Sequence, residues 1–402
     1  MADFFQNGEI VTLHRLKERS IEDLEHELEE ESPNQPITLI LPSLYSELER
    51  PALANIVKQL KNVKFLNEIV ITMARMNRQQ FEYAKKFFAD LPKPWTIIWN
   101  DGDRMKNIYH HLRSLNIDPG PDGKGKQVWM AIGYILARGN SHSVVLHDCD
   151  IITYDRELLA RLSYPMVHRT HPFQFVKGYY ARVTTTLHGR VTRLFLTPLI
   201  RALKNILGQN TYLDYLDSFR YALAGEFAMS LDLAQRIRFP SDWGLEIGVL
   251  SEVYRHAVLT QVAQVDIANT YEHKHQPVAR DDMNTGLLKM STDIAKTLFR
   301  TLAAQGIMFT NESFITLKST YARIANEFIE RYAMDAALNG LHYDRHIESQ
   351  IIESFVQSII HAGQELLEFP FESQYISSWN RVFDADPKFF KRLISAVEAD
   401  NK

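Results

Sequence analysis

The stretch SVVLHDCD at residues 143–150 joins a short apolar run to two acidic residues, and the fold is read outward from it. The apolar part is short and rich in valine, which is typical of a buried β-strand. Asp148 and Asp150 follow at positions i and i+2, and in extended backbone such residues point to the same side. We therefore expect a buried strand with two carboxylates at its carboxyl end.

Similar segments precede this strand along the chain. Helical spacing and apolar runs alternate, with strands predicted at 37–41, 68–73 and 96–99, and helices at 52–60, 81–88 and 127–137. Such alternation indicates a mostly parallel sheet that carries helices on both faces. Ligands of these sheets bind beyond the carboxyl ends of the strands, where Pro42, a glycine-rich loop at 118–126 and Asp148 all fall. The sequence thus predicts an α/β domain with a ligand site at this edge.

The two ends of the chain have a different character. Residues 21–31 form an acidic segment of helical period, which ends at the proline-containing stretch 32–36. From about Lys289 onward the pattern consists of long helical stretches without strand alternation or a chemical motif. We predict an N-terminal helical segment at 1–36, a central domain at 37–288 and a helical C-terminal region at 289–402. The C-terminal region is expected to pack on the central domain or to form an oligomer contact.

The composition is that of an ordinary globular protein, and its charge balance argues against two classes of partner. Of 402 residues 45% are hydrophobic and 23% are charged, and the formal net charge is −4. A protein that coats nucleic acid or an anionic membrane normally needs a basic surface, so we predict neither partner. Cys149 is the single cysteine, which fits a reducing compartment. Without a signal-peptide pattern or an apolar run of about 18 residues, we expect a cytoplasmic protein.

The acidic pair suggests a metal site. Two carboxylates on one side of a strand are costly to hold together unless a cation neutralises them. Mg²⁺ or Mn²⁺ prefers oxygen ligands and is commonly shared with phosphate groups. Alternatively, Asp148 and Asp150 are turn and helix-capping residues, and the motif alone leaves both interpretations open. Cys149 points the other way, and we expect it to pack in the interior.

Two further motifs could bind phosphate. Gly123-Lys124-Gly125 precedes an apolar helix, where glycine permits close approach, helix-start amides attract phosphate and lysine adds charge. It lacks the spacing of a P-loop, and a solvated turn is the alternative. Farther along, Gly189, Arg190 and Thr192 combine a flexible residue, a guanidinium and a hydroxyl. Arginine binds phosphate or carboxylate through two bonds, but a surface arginine at an ordinary helix start is the alternative.

Acidic and imidazole side chains later in the chain complete the candidates. Glu226 and Glu246 each lie among apolar residues, so each needs a partner, which could be a sugar hydroxyl or an arginine. His273, Lys274 and His275 follow a predicted strand at 262–267. Histidine is a good metal ligand and could close a metal site, although an isolated histidine more often has a structural role.

Seven segments, in a fixed order, resemble the glucosyl-3-phosphoglycerate synthase family of retaining GT-A glycosyltransferases. They are GKG at 123–125 with Trp129, VVLHDCDI at 144–151, FVKGYYAR at 175–182, GRVTRLFLTPLI at 189–200, LAGEFAMS at 223–230, WGLEIGVL at 243–250, and 273–277. The resemblance covers roughly residues 37–277, and the order is more specific than any single motif. It implies a Rossmann-like GT-A fold with a donor-binding half at about 37–150 and an acceptor half at about 151–288.

The resemblance implies a role for each matching residue. The metal, Mg²⁺ or Mn²⁺, would be held by Asp150 and His273. The residues expected at the sugar nucleotide are Pro42, Ser43, Leu44, Lys124, Asp148 and Cys149, the last as part of the acidic segment. The phosphate of 3-phosphoglycerate would be held by Gly189, Arg190, Val191 and Thr192. Glu246 would face the transferred sugar or the acceptor, and Glu246 and Asp148 are expected nearest the reacting atoms.

The resemblance implies transfer of glucose from a nucleoside diphosphate glucose to the 2-hydroxyl of 3-phosphoglycerate. The chain departs from the family at two places, with Tyr45-Ser46 where the family has Asn-Glu and Met73-Ala74 where it has Asp-Ser. Both places contact the base or ribose, which leaves uridine, guanosine and adenosine donors open. Mannose from GDP-mannose, a free glycerate acceptor, and a non-catalytic protein that binds sugar nucleotides are the alternatives. The resemblance and the extra helices also predict a homodimer.

Overall fold

The structure is a computed structural model of the chain and describes residues 6, 8–91, 94–170, 173–273, 286–370 and 375–402. Its strands are β1 Val11–Leu13, β2 Ile37–Leu44, β3 Leu66–Ala74, β4 Trp95–Trp99, β5 Ser143–Leu146, β6 Phe175–Tyr180, β7 Phe227–Ser230, β8 Phe239–Pro240, β9 Val262–Ala268 and β10 Tyr375–Ile376. Its helices are α1 Ile21–Glu31, α2 Pro51–Leu60, α3 Arg78–Phe88, α4 Asp103–Ser114, α5 Lys124–Arg138, α6 Arg156–Val167, α7 Thr197–Leu207, α8 Thr211–Asp217, α9 Leu231–Arg236, α10 Leu245–His256, α11 Gly286–Ala304, α12 Asn311–Leu338, α13 Arg345–Glu368, α14 Trp379–Ala385 and α15 Phe389–Asn401.

The central sheet has eight strands in the order β1-β9-β6-β7-β5-β2-β3-β4. Strand β7 runs antiparallel to both β5 and β6, whereas the other neighbouring strands are parallel. The predicted mostly parallel sheet is therefore confirmed. Because β7 is reversed, its first residue lies at the edge where the parallel strands end.

Helices cover both faces of the sheet, as predicted. Successive strand residues alternate between two apolar clusters, so that Leu39 and Leu41 of β2 belong to one cluster and Ile40 to the other. The cluster with Leu39 includes residues of α1, α2, α3 and α6. The cluster with Ile40 includes residues of the remaining helices, among them all those of the C-terminal region. The sheet is thus buried between two helical layers, which explains why its central strands are apolar on both sides.

The ends of the chain contribute more to the sheets than their sequence predicted. Val11–Leu13 in the predicted helical segment forms β1, which pairs in parallel with β9. Beyond Lys289, where we predicted no strand, β10 pairs with β8 in a two-stranded antiparallel ribbon. Both strands have only two or three residues, which is too short for an alternating pattern to show in the sequence.

The C-terminal region packs on the central domain. Its first helix, α11, begins before the predicted boundary at 288, and α11, α12 and α13 share the cluster around Ile40. Trp379 stacks on Trp129 of α5 at a centroid distance of 4.2 Å, and each indole N–H donates to a backbone carbonyl. The Asn401 side chain bonds both the N–H and the carbonyl of Ile97 on edge strand β4. In the part of the chain that is described, no helix combines the length and apolar character needed to cross a membrane.

Candidate active site

A cleft of about 830 Å³ lies at the carboxyl edge of the sheet. This volume is in the range of sites that bind small molecules and cofactors. It is lined by every residue to which the resemblance gave a role, namely Pro42, Ser43, Leu44, Lys124, Asp148, Cys149, Asp150, Gly189, Arg190, Val191, Thr192, Glu246 and His273. The fold therefore brings all the predicted site residues together, although their individual roles remain predictions.

The sheet topology explains this convergence. The parallel strands β2, β5 and β9 end at one edge, and they are followed or ended there by Leu44, Asp148 and His273 respectively. Glu226 reaches the same edge from the opposite direction because it directly precedes the reversed strand β7. Chain positions more than two hundred residues apart thus meet around a single cleft.

Lys124 lies between two acidic side chains of the cleft, Asp148 and Glu246. It begins α5, and its Nζ is 2.6 Å from Asp148 Oδ1 and 3.2 Å from Glu246 Oε1. Burial alone would lower the pKa of Lys124, but the two carboxylates raise it above its ordinary value. Lys124 in turn holds the pKa of Asp148 below its ordinary value, although burial acts in the opposite direction. The lysine is therefore a fixed cation, and Glu246 is paired with it rather than with an arginine.

Gly225 makes the close packing around Asp148 possible. A Cβ atom added at this position would lie 2.5 Å from Asp148 Oδ2 and 3.1 Å from Lys124 Nζ. No side chain fits there unless the ion pair moves. Gly225 therefore allows the backbone to pass directly beside the carboxylate of Asp148.

Asp150 and His273 form a pair suited to a divalent cation. Asp150 Oδ2 lies 3.8 Å from His273 Nδ1, and an antiparallel bridge between Ile151 and His273 holds the two segments together. Ligand atoms at this separation can share one ion, since magnesium–ligand distances are about 2.1 Å. Among the described residues there is no group of three or more His, Cys, Asp or Glu that could hold a metal. Lys274 and His275 lie outside those residues.

The chemistry of the pair fits a cation that is shared with a ligand. Magnesium usually binds through one or two protein oxygens, and substrate phosphates and water complete its coordination. Asp150 supplies such an oxygen and His273 a nitrogen, and both side chains are about one quarter exposed to the cleft. An ion bound here would therefore be open to the phosphates of a nucleotide.

Gly189 and Arg190, which also line the cleft, stand at the start of a helical stretch. Gly189 has a φ of +72°, in the left-handed region that favours glycine. Residues Val191–Leu196 are π-helical and continue directly into α7. The Arg190 Nε–H donates to Glu348 of α13 at 2.8 Å, and its terminal nitrogens have no partner among the described residues. The arginine is thus both anchored and available to a ligand.

Glu226 forms a buried cluster that the sequence did not reveal. It is fully buried and accepts hydrogen bonds from the hydroxyls of Tyr180 and Tyr271, each at 2.6 Å. The two rings stack at a centroid distance of 3.6 Å, and both line the cleft. Burial and the charge of Asp148 raise the pKa of Glu226. Among the described residues, the hydrogen-bond partners of the Glu226 carboxylate are these two phenols.

Lys177 is a buried residue that the sequence did not single out. It lies on β6 with 1% exposure, and its Nζ has no hydrogen-bond partner among the described residues. Burial lowers the pKa of Lys177 to about 8, although Glu246 and Glu226 act in the opposite direction. The signal in the sequence was a lysine inside the otherwise apolar and aromatic run FVKGYY at 175–180.

One end of the cleft includes part of the second departure from the family pattern. It is lined by Ala74 at the end of β3 and by Glu47, Arg75 and Asp101 nearby. Arg75 has a φ of +60°, which is uncommon for a residue other than glycine. Met73 is buried within β3, so of the second departure only Ala74 reaches the cleft.

The sheet, with the lysine at the start of α5 and the acidic segment after β5, has the arrangement of the GT-A fold. Solved structures of glucosyl-3-phosphoglycerate synthase from Mycobacterium tuberculosis share this fold. The complex with Mg²⁺ and UDP has a TM-score of 0.52 at 20% identity and covers 74% of this chain and 88% of that one. The complex with Mn²⁺, UDP and phosphoglyceric acid has a TM-score of 0.54 at 20% identity and covers 74% and 87%.

Sequence relatives carry the similarity over the full length. The glucosyl-3-phosphoglycerate synthase of Persephonella marina is 48% identical over 401 residues, which are 100% of this chain and 99% of the relative. That of Methanococcoides burtonii is 38% identical over 405 residues, which are 100% and 98%. No protein-family model matches the chain. The chain belongs to the glucosyl-3-phosphoglycerate synthase family, as the resemblance predicted, and is a glycosyltransferase.

Proposed function

We propose that this chain transfers glucose from a nucleoside diphosphate glucose to the 2-hydroxyl of 3-phosphoglycerate and retains the anomeric configuration. The observation that carries the proposal is one cleft lined both by a side-chain pair suited to a cation and by an anchored arginine. The names of the two full-length relatives support the same reaction. The product would be glucosyl-3-phosphoglycerate.

The metal assignment concerns Asp150 and His273, which would hold Mg²⁺ or Mn²⁺ together with the donor diphosphate. When bound, such a cation neutralises the diphosphate charge that develops as the glycosidic bond breaks. The structural neighbours from M. tuberculosis contain Mg²⁺ or Mn²⁺ with UDP, which supports this assignment. The strand-end loop of Pro42, Ser43 and Leu44 would contact the nucleotide.

Lys124, Asp148 and Glu246 would act around the transferred sugar. Lys124 is fixed between the two carboxylates, so it can donate to the donor without searching for its position. Asp148 would accept from sugar hydroxyls, and Glu246 would face the sugar or the acceptor. We assign no protein nucleophile; the proton of the acceptor hydroxyl would pass to a diphosphate oxygen on the face from which the diphosphate leaves.

Arg190, with the Gly189 amide and Thr192, would bind the acceptor by its phosphate. A guanidinium that lines the cleft with its terminal nitrogens unpaired among the described residues can bind phosphate through two parallel hydrogen bonds. This contact raises the effective concentration of the 2-hydroxyl beside the anomeric carbon. The sequence further predicts a homodimer and a cytoplasmic location; a buried thiol at Cys149 suits a reducing compartment.

The proposal is tested by nucleotide release. The protein is mixed with Mg²⁺, 3-phosphoglycerate and, in separate reactions, UDP-, GDP- and ADP-glucose, with GDP-mannose as the competing sugar donor. We expect diphosphate release that depends on both 3-phosphoglycerate and a glucose donor. No release with any donor would favour the non-catalytic alternative, and release with GDP-mannose alone would favour mannosyl transfer.

A further inference from the structure

The C-terminal region contacts one side of the cleft through residues 182–194, which we call the acceptor arm. The N–H of His342 donates to the carbonyl of Thr185 at 2.9 Å. The hydroxyl of Tyr321 on α12 donates to the carbonyl of Leu194 at 2.7 Å. Thus two separate points of the C-terminal region hold the backbone of the acceptor arm near its two ends.

Glu348 provides the charged contact between the same two parts. It lies in the first turn of α13 with 4% exposure. Its Oε1 accepts from the Nε–H of Arg190 at 2.8 Å, and its Oε2 accepts from a terminal nitrogen of Arg193 at 3.2 Å. One buried carboxylate therefore pairs with two arginines of the acceptor arm, and each oxygen serves one of them.

Arg193 serves as a scaffold in this arrangement. Its guanidinium also donates to the carbonyls of His188 at 2.8 Å and Leu187 at 3.2 Å. It lies over the ring of Tyr332 on α12, 4.8 Å from the centroid. Because its side chain is only 10% exposed, Arg193 is fixed inside the protein, and Glu348 supplies the counter-charge that its burial requires.

Arg190 differs from Arg193 because its side chain is 35% exposed and lines the cleft. Glu348 does not line the cleft, and it contacts Arg190 through Nε alone. This contact restricts the orientation of the guanidinium, while its two terminal nitrogens have no partner among the described residues. Two arginines and one carboxylate leave a net charge of +1, which retains attraction for an anionic ligand.

We propose that Glu348 is a positioning residue for the acceptor: it orients the Arg190 guanidinium, so that the C-terminal region completes the acceptor site. The inference rests on the proposed role of Arg190 in binding the acceptor phosphate. It assigns a function to a helix in which the sequence showed no chemical motif. A carboxylate that instead occupied the phosphate position would have to lie in the cleft, and Glu348 does not.

The experiment compares Glu348→Gln with a control on the same helix. Glutamine keeps the size of the side chain but removes the charge, so it satisfies at most one of the two arginines. Glu365→Gln is the matched control, because Glu365 pairs with Lys296 of α11 away from the cleft. We expect the KM for 3-phosphoglycerate to rise roughly tenfold or more in Glu348→Gln. The donor KM and kcat should change little, and the control should behave as the unmodified protein.

Three outcomes for Glu348→Gln overturn the inference. A lower KM for 3-phosphoglycerate would mean that Glu348 competes with the acceptor phosphate. An equal rise in both KM values, or no change in either, would mean that the carboxylate has only a structural role or none. If Glu348→Gln does not fold in urea-unfolding measurements, Glu348→Asp replaces it; this variant keeps the charge but shortens the reach, and an unchanged KM for 3-phosphoglycerate contradicts the inference.

A double-mutant comparison separates this inference from the proposed function. If Glu348 acts through Arg190, Glu348→Gln should have no further effect on the KM for 3-phosphoglycerate in an Arg190→Ala background. If Arg190→Ala raises that KM and Glu348→Gln does not, only the positioning role fails. If Arg190→Ala leaves it unchanged, the acceptor assignment itself fails.

Discussion

The proposed donor and acceptor sides of the cleft are built in different ways. On the donor side, Leu44 and Asp148 stand at the ends of neighbouring parallel strands, and short apolar runs place them there. On the acceptor side, Arg190 is held by Glu348, which follows 158 residues later in the chain. Residues at strand ends follow from local patterns, whereas the orientation of Arg190 depends on a contact between distant segments. We therefore expect the two sides to fail independently when each is mutated.

The largest effect is expected on the donor side from Asp150→Ala. The substitution removes the carboxylate of the proposed cation pair, so charge on the leaving diphosphate would no longer be neutralised at this position. We expect kcat/KM to fall about a thousandfold or more at saturating Mg²⁺. The measurement is turnover against Mg²⁺ concentration, with unfolding in urea as a check that the variant is folded.

The control is Asp103→Asn, because Asp103 is fully exposed in α4 outside the cleft. This variant should retain the turnover of the unmodified protein. Normal Mg²⁺-dependent turnover by Asp150→Ala would refute the metal assignment.

The next effect concerns the packing behind the donor side. Trp379→Ala removes a fully buried indole that stacks on Trp129 of α5, the helix that begins with Lys124. We expect a loss of about 3–5 kcal/mol in the free energy of unfolding, because the change leaves a large cavity. Urea unfolding gives this value, and Phe383→Ala on the same helix, at a half-exposed position, should cost far less. Equal losses would show that the stack does not support α5.

A smaller effect, confined to the acceptor side, is expected from Arg190→Ala. Loss of the phosphate contact should raise the KM for 3-phosphoglycerate about a hundredfold, since hydrogen bonds between charged groups contribute more than neutral ones. The donor KM should remain nearly unchanged. Arg236→Ala serves as the control, because Arg236 pairs with the exposed Asp232 outside the cleft. An equal loss for both substrates would show that Arg190 is not specific to the acceptor.

The smallest effect is a dependence of stability on pH that arises from His147. This residue is fully buried; its Nδ1 contacts the carbonyl of Asp148 and its Nε2 contacts the hydroxyl of Tyr154. Burial lowers the pKa of His147 to about 4 from an ordinary value of 6.5. Between these two values the unfolded chain binds more protons than the folded one, so this contribution to stability decreases as the pH falls from about 6.5 to about 4.

The measurement is urea unfolding at about pH 7.5 and about pH 5, where we expect His147 to cost roughly 2 kcal/mol of stability. In His147→Gln this part of the pH dependence should vanish, because glutamine does not titrate. The same pH dependence in both proteins would exclude His147 as its source.

The sequence was sufficient for the parts of the fold with local periodicity. The apolar runs of β2 and β5 and the long helical stretches that contain α12 and α13 were recognised, and β2 continues beyond its predicted end at 41 to Leu44. It was insufficient for β7, which has four residues and whose reversed direction is set by its neighbours. No pattern in the sequence shows the direction in which a short strand enters a sheet.

The residues of the site also divide into those that the sequence could predict and those that it could not. Asp148, Asp150 and Lys124 are at strand ends and helix starts, so their spacing already predicts the edge of the sheet at which they lie. Glu226 accepts from Tyr180 and Tyr271. These two partners could not be predicted from spacing, because one lies on β6 and the other in the segment after β9. Resemblance supplied the expected roles of Arg190 and His273, but it gave no indication of Glu348.

The central claim, that both sides of the cleft serve one transfer reaction, is tested most directly by identifying the product. The protein is supplied with Mg²⁺, a glucose donor and 3-phosphoglycerate labelled with ¹³C at the carbon that bears the 2-hydroxyl. We expect an NMR correlation between the anomeric proton of glucose and the labelled carbon. The product should have the same anomeric configuration as the donor. Free glucose without such a correlation, or a product of inverted configuration, would contradict it.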